Sequence, residues 1–153
     1  MIEQFLASDF CLKCKGCCRF SEQDSVWLPT LLDEEKEYGG KDKKIKAVPI
    51  GEGLNCFFLS LAENKCKIYA KRPFECQLYP FLINRRAKGV FLAVDLNCPF
   101  ASEHLNQPEF QKYLDYLKGF LSSPEQLEIF KRNPQILQSY EGVSDLLPLE
   151  IKP

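Results

Sequence analysis

Eight of the 153 residues are cysteine, and only one is histidine. Thiolates are soft donors that hold zinc and iron–sulfur clusters, so a chain this poor in histidine must build such a site from sulfur. The stretch "CLKCKGCC" places Cys11, Cys14, Cys17 and Cys18 within one short segment. A Cys-x-x-Cys step brings the sulfurs of i and i+3 to one side of a tight turn and makes a chelating unit. Three such thiols in a run, with another cysteine directly before a proline, form the pattern of ferredoxin-type clusters, and Cys98 is followed here by Pro99. With Cys56, Cys66 and Cys76 the inventory suffices for two four-thiolate centres. All eight cysteines are therefore candidate metal ligands, for a 4Fe–4S cluster or for zinc.

Cations stand beside these thiols: Lys13, Lys15 and Arg19 around the first group, Lys71 and Arg72 before Cys76. Positive charge depresses a thiol pKa and offsets the charge of a thiolate-ligated centre. The adjacent pair Cys17–Cys18 poses a separate problem, because neighbouring side chains generally diverge. We therefore expect that the two do not serve one metal. In a looped chelate Cys11, Cys14 and Cys17 share a centre; in a helix Cys11, Cys14 and Cys18 share a face. Gly16 weakens the helix and favours the loop.

Other thiol chemistry fits less well. A disulfide framework belongs to exported chains, and the first ten residues lack a basic leader and carry Glu3 and Asp9. A thioredoxin-like dithiol needs a βαβ context that nothing before Cys11 supplies. His104, near Cys98, reads as an exposed loop residue and not as half of a catalytic dyad. Walker A, HExxH, GxSxG and dinucleotide motifs are missing, so we expect no catalytic activity. Twenty basic and 21 acidic residues give a net charge of −1, which offers no electrostatic case for nucleic acid or an anionic membrane. The longest apolar runs, near Cys56–Ala62 and Val90–Val94, are too short to span a bilayer. The expected setting is cytoplasmic, and the expected partners are a metal or cluster and a protein partner.

The elements that must position the thiols can be read in part. "TLLDEEKEYGG" reads as a short helix with Thr30 as N-cap and Gly39 as stop, and "KDKKIK" as a solvated face. "CFFLSL" and "CKIYA" read as a hairpin turning near Glu63-Asn64, with Leu61 opposite Cys66. On that register Cys56 lies about 17 Å along the strand from the pairing position, which separates it from Cys66 unless the hairpin is irregular. Pro73 suits the first turn of a short helix that Pro80 ends. "FLINRR" and "VFLAVDL" form a second hairpin turning at Gly89. Beyond Pro99 helical periodicity takes over. Phe110, Tyr113, Leu114, Leu117, Phe120 and Leu121 form one stripe, and Ser123-Pro124-Glu125-Gln126 opens another helix that Pro134 ends. The acidic tail from Ser139 to Pro153 is expected to pack loosely.

These letters also resemble a known family. "CxxCxxCC" at Cys11–Cys18 is similar to the zinc- or iron-chelating cysteine-cluster domains named after that motif. Downstream, Cys56 with Phe58-Leu59, then Cys66, Ile68-Tyr69, Arg72-Pro73, Cys76 and Tyr79-Pro80-Phe81 follow the family pattern in order. The likeness covers about residues 11 to 99; where the pattern leads one to expect glycine after Cys98-Pro99, this chain has Phe100. The resemblance implies a cysteine metal site. It extends to the cysteine block of the larger flagellin lysine N-methylases. Methyltransferase chemistry would need a glycine-rich S-adenosylmethionine loop, and "IGEGL" at Ile50–Leu54 reads as a plain turn. The resulting expectation is a single α+β domain over residues 1–153. Its cysteine core spans 11–99 with short hairpins around the metal site, and a helical part spans 100–138.

Overall fold

The computed structural model describes residues 1–153. Two compact units make up the chain, Met1–Gln77 and Leu78–Pro153. The class is α+β, with every strand pairing within its short sheets antiparallel. No helix is long and apolar enough to cross a membrane.

The first unit holds α1 (Ser8–Lys13), β1 (Arg19–Phe20), β2 (Ala47–Ile50), β3 (Gly53–Cys56), β4 (Leu59–Ser60), β5 (Lys65–Cys66) and α2 (Phe74–Leu78). One sheet runs β1-β3-β2, and β4 and β5 form a separate hairpin. The "IGEGL" segment is the turn between β2 and β3, with Gly51 at φ +60, a backbone region cheap only for glycine. Pro49 is tolerated because β2 lies at the sheet edge, where a missing N–H breaks no ladder. The expected continuous strand from Cys56 is interrupted: β3 ends there, Phe57 and Phe58 turn, and β4 restarts at Leu59. Leu59, not Leu61, pairs with Cys66. The hairpin tip is wider than expected because Asn64 takes a left-handed conformation, φ 49, and its amide is tied to the carbonyls of Leu12 and Cys14 at 2.6 and 2.9 Å.

The "TLLDEEKEYGG" segment is helical but tighter and later than expected, a 3-10 helix at Asp33–Tyr38 stopped by Gly39. Thr30 is not its cap. Leu31 and Leu32 are buried, which keeps the chain extended there, and the Thr30 N–H donates to Glu75 Oε2 at 2.6 Å. Within "KDKKIK" the solvated face is incomplete. Ile45 is buried, and Lys44 Nζ turns in to Leu28 O at 3.0 Å and Thr30 Oγ1 at 2.8 Å. Leu28, Leu31, Ile45, Cys56 and Leu59 form the core of this unit, and Cys18, Phe20, Tyr38 and Cys76 pack against it.

The second unit holds β6 (Phe81–Arg86), β7 (Gly89–Val94), α3 (Pro99–His104), α4 (Pro108–Leu121), α5 (Pro124–Arg132) and β8 (Ser144–Leu149). The hairpin closes at Arg86↔Gly89, as expected. Two helices were expected after Pro99 and three form, because proline at N1 also starts the six-residue α3. The α4 stripe is core: Phe110, Leu114, Leu117 and Leu121 are buried, and Phe110 and Tyr113 set their rings 5.4 and 5.3 Å from Phe81. Ser123 Oγ caps α5 by accepting the Gln126 N–H at 3.4 Å. The tail does not pack loosely. Its β8 pairs with β7, burying Leu149, while fully buried Asn84 donates to Asp145 Oδ1 and accepts the Tyr140 N–H, both at 2.8 Å. These bonds satisfy a buried amide that would otherwise cost stability, and so fasten the tail.

Candidate metal centre

Five of the eight thiols lie near enough to one another in the first unit to interact electrostatically. Four separate pieces of chain deliver them: the turn closed by Arg19 N–H to Gly16 O at 3.0 Å carries Cys17 and Cys18, β3 ends at Cys56, β5 ends at Cys66, and α2 carries Cys76. The turn is hung on the sheet by the Cys56 N–H, which donates to Cys18 O at 2.9 Å. The break in the strand at Phe57-Phe58 is what lets Cys56 and Cys66 approach each other. The 17 Å separation argued from a regular hairpin therefore does not apply.

Within this group Cys17, Cys56, Cys66 and Cys76 are linked in every pairing. The charge of Cys17 acts on the other three, that of Cys66 on Cys56 and Cys76, and that of Cys56 on Cys76. Burial, above all, pushes the thiols of Cys56, Cys66 and Cys76 up, and the neighbouring thiolates add to it for each. Two sulfurs are cradled by backbone donors: Phe58 and Leu59 N–H point at Cys56, and Ile68 N–H points at Cys66. Such N–H donors stabilise a thiolate and orient a ligand sulfur. Cys18 joins as a fifth member, with Cys17, Cys56 and Cys76 as its sulfur neighbours.

The adjacent pair converges instead of diverging. Side chains i and i+1 point to opposite faces in a strand. Cys17 and Cys18 occupy the centre of a turn, where the backbone reverses, and their thiols hydrogen-bond to each other. That bond, with Cys18 as donor, is the main reason that the Cys17 thiol falls to about 7; burial opposes it, and the Cys17 N–H, Arg72 and Arg19 assist. Cys18 is pushed up by the same bond, by burial and by the surrounding thiolates. Cys17 is exposed as a whole residue, yet its sulfur sits among the other thiols.

Cys11 lies on α1 and Cys14 is the C-cap of that helix, its N–H bonded to Cys11 O at 3.2 Å. The first Cys-x-x-Cys step is thus helical up to Lys13 and looped beyond it. Cys98 belongs to the second unit, where it is buried at the residue preceding α3. His104 also lies there, stacked on Phe100 at 3.9 Å with Nδ1 2.7 Å from the Phe100 carbonyl, an ordinary helix-end contact. Three supporting residues escaped the reading of spacing. Asn64 also accepts Arg19 Nη2 at 2.9 Å, and Glu35 holds the Leu32 and Phe74 N–H groups at 3.0 and 2.7 Å. Glu75 holds Thr30. Only Asn64, placed at a turn, left a signal in the sequence.

The donor set fits a soft metal: sulfur throughout, a hydrophobic wall behind it, and cations at its rim. Neighbourhood is not yet coordination, since no three Cys, His, Asp or Glu side chains converge closely enough to hold one ion. Thiols have to rotate inward, and the Cys17–Cys18 bond has to open, before they share a metal. Residues 10–109 match the CxxCxxCC family, described as "Putative zinc- or iron-chelating domain". The chain belongs to this family. No solved structure matches it. Metal chelation is the chemistry that the family's description names.

Proposed function

We propose that Cys17, Cys56, Cys66 and Cys76 hold a 4Fe–4S cluster and that the protein works in electron transfer, cluster handling or sensing, without a reaction of its own. What supports this reading is that Cys56 and Cys76 pack at one hydrophobic core, with Cys17 and Cys66 near enough to act on them electrostatically. Structural zinc sites favour ligands in Cys-x2–4-Cys pairs. The quartet contains no such pair, each member coming from a different segment. When bound, such a cluster supplies one-electron redox chemistry at a potential set by hydrogen bonds and charge near its sulfurs. The chain's own part is to present four thiolates, to donate N–H groups of Phe58, Leu59 and Ile68 to two of them, and to bury the site against Leu28 and Ile45. Free thiols in this number suit a reducing compartment, the cytoplasm.

Zinc is the second reading, and it has its own support. Cys18, Cys56 and Cys76 pack directly into the core of the first unit, so a metal there would hold the fold together as structural zinc does. One experiment separates the two: anaerobic purification followed by iron, zinc and acid-labile sulfide analysis. The proposal expects about four irons and four sulfides per chain and a brown protein with an EPR signal in one oxidation state. Stoichiometric zinc without sulfide would replace it with the second reading. Disulfides and no metal in freshly prepared protein would end both.

A further inference from the structure

Phe57 is the one aromatic ring among the exposed large apolar side chains, at 43 % exposure. It falls where β3 breaks off, and its neighbours hold it firmly there. Its N–H donates to Lys46 O at 2.9 Å, and the next residue, Phe58, accepts the Lys67 N–H at 2.8 Å. The ring stands edge-to-face with Phe58 at 5.2 Å, as Phe58 does with Tyr38 at 5.6 Å. Phe58 and Tyr38 pack against the core of the first unit, so Phe57 is braced from the interior outward. Two exposed lysines from the flanking segments lie over this ring. Lys46 Nζ is 4.2 Å from its centroid and Lys67 Nζ is 5.8 Å away. Neither makes an ion pair; those of the chain belong to Lys43, Lys65, Arg86 and Lys131.

An exposed ring attracts a cation only weakly and leaves its charge unneutralised. Two ammonium groups over one ring also repel each other, and carboxylates brought to them relieve both. We propose that Phe57, Lys46 and Lys67 form a docking surface for an acidic segment of another protein, which sets an apolar side chain on the ring and carboxylates on the lysines. Protein interfaces combine an aromatic anchor with a charged rim: the ring supplies contact area, and the charges supply orientation and rate. Because the ring is already braced, docking on it costs little ordering entropy. A nucleic acid fits the same features less well. A base would have to stack on the ring that Lys46 already lies over, whereas a carboxylate meets the ammonium where it stands. The net charge of −1 supplies no long-range field for a polyanion either. The inference does not depend on what the thiols bind. Phe57 and Lys67 nevertheless directly follow Cys56 and Cys66 in the chain, so a docked partner would lie beside those residues.

The test selects a random-peptide display library on the wild-type chain and measures the most enriched peptide, made synthetically, by fluorescence anisotropy. The selected peptides are expected to be rich in Asp and Glu around an apolar residue and to bind more weakly as salt rises. Phe57→Ser, and separately Lys46→Glu combined with Lys67→Glu, are each expected to weaken binding about tenfold or more, as loss of an interface anchor does. Replacing the peptide's acids by Asn and Gln should weaken it likewise. Circular dichroism establishes that the variants fold. Should Phe57→Ser not fold, the lysine double variant, which leaves the ring in place, decides the matter. A selection that enriches no peptide, or peptides without acids, would overturn the proposal. So would an acidic peptide that the folded variants bind as wild type does. Two further measurements would give the surface to another occupant and overturn it in that way. One is a thymidine oligonucleotide that binds wild type more tightly than the acidic peptide and is lost in the variants. The other is self-association of wild type in sedimentation that Phe57→Ser abolishes.

Discussion

Separate Cys17→Ser and Cys18→Ser substitutions divide the adjacent pair by role. Cys17 is coupled to each of Cys56, Cys66 and Cys76, whereas Cys18, besides its hydrogen bond to Cys17, is coupled to Cys56 and Cys76. Structural zinc sites bind with about 10–16 kcal/mol at neutral pH, so one thiolate of four carries about 2.5–4 kcal/mol. At about 1.4 kcal/mol per factor of ten, Cys17→Ser should weaken metal binding about a hundredfold to a thousandfold. Cys18→Ser removes a weak thiol donor and substitutes a hydroxyl that can donate in its place. Its cost should stay near or below about 1 kcal/mol, under tenfold in affinity. The assay is an anaerobic competition between each variant and a chelator of known affinity for Co(II) or zinc, with circular dichroism to confirm that the apo forms are alike. Equal losses, or a greater loss in Cys18→Ser, would refute the assignment of Cys17 to the quartet.

Other perturbations test the frame around the site. Glu35→Ala strands the N–H groups of Leu32 and Phe74, and should cost about 2–4 kcal/mol in urea unfolding, with Glu35→Gln milder because it keeps one acceptor. Burial, chiefly, holds the Glu35 carboxyl above its usual range. The folded chain therefore binds that proton more tightly than the unfolded chain, and the associated stability, complete below the unfolded pKa, fades as pH rises through the folded one. A urea series at several pH values should show this acid-side slope in wild type and lose it in Glu35→Gln. Asn64→Gly keeps the left-handed backbone but removes three side-chain hydrogen bonds. It should speed proteolysis and amide exchange between Ser8 and Cys18 while leaving the second unit's exchange unchanged. Leu117→Ala empties a fully buried position on α4 and should lower unfolding stability by about 2–5 kcal/mol.

The second unit was the more legible half because its signals are local. Pro124 and the Ser123 cap mark a helix start whatever surrounds them, and the α4 stripe repeats at helical spacing over three turns. The β6–β7 hairpin is equally self-contained. The tail was misread because β8 carries Asp145 and Pro148, residues that argue against a strand taken alone. It lies at the outer edge of its sheet, where proline breaks no ladder, and its stability comes from long-range partners, Val90 to Val94 on β7 and Asn84 on β6. The edge strand β2, with Pro49, was missed for the same reason.

The metal site divides along the same line. That the chain has ligands was legible from thiol count and spacing, but which thiols meet was not. Cys-x-x-Cys spacing drew attention to Cys11 and Cys14, while the couplings gather Cys17 with three cysteines that have no close neighbour in sequence. Two local events decide this outcome, and both are irregularities. The Phe57-Phe58 break lets Cys56 leave the β4–β5 register, and the Gly16–Arg19 turn lets Cys17 and Cys18 face the same way. Periodicity arguments describe regular backbone, where adjacent side chains diverge and a hairpin keeps its ladder. A site built at the places where the ladder stops is therefore hidden from them. An irregular backbone of this kind has to be held from outside, which is what the side-chain bonds of Asn64, Glu35 and Glu75 do.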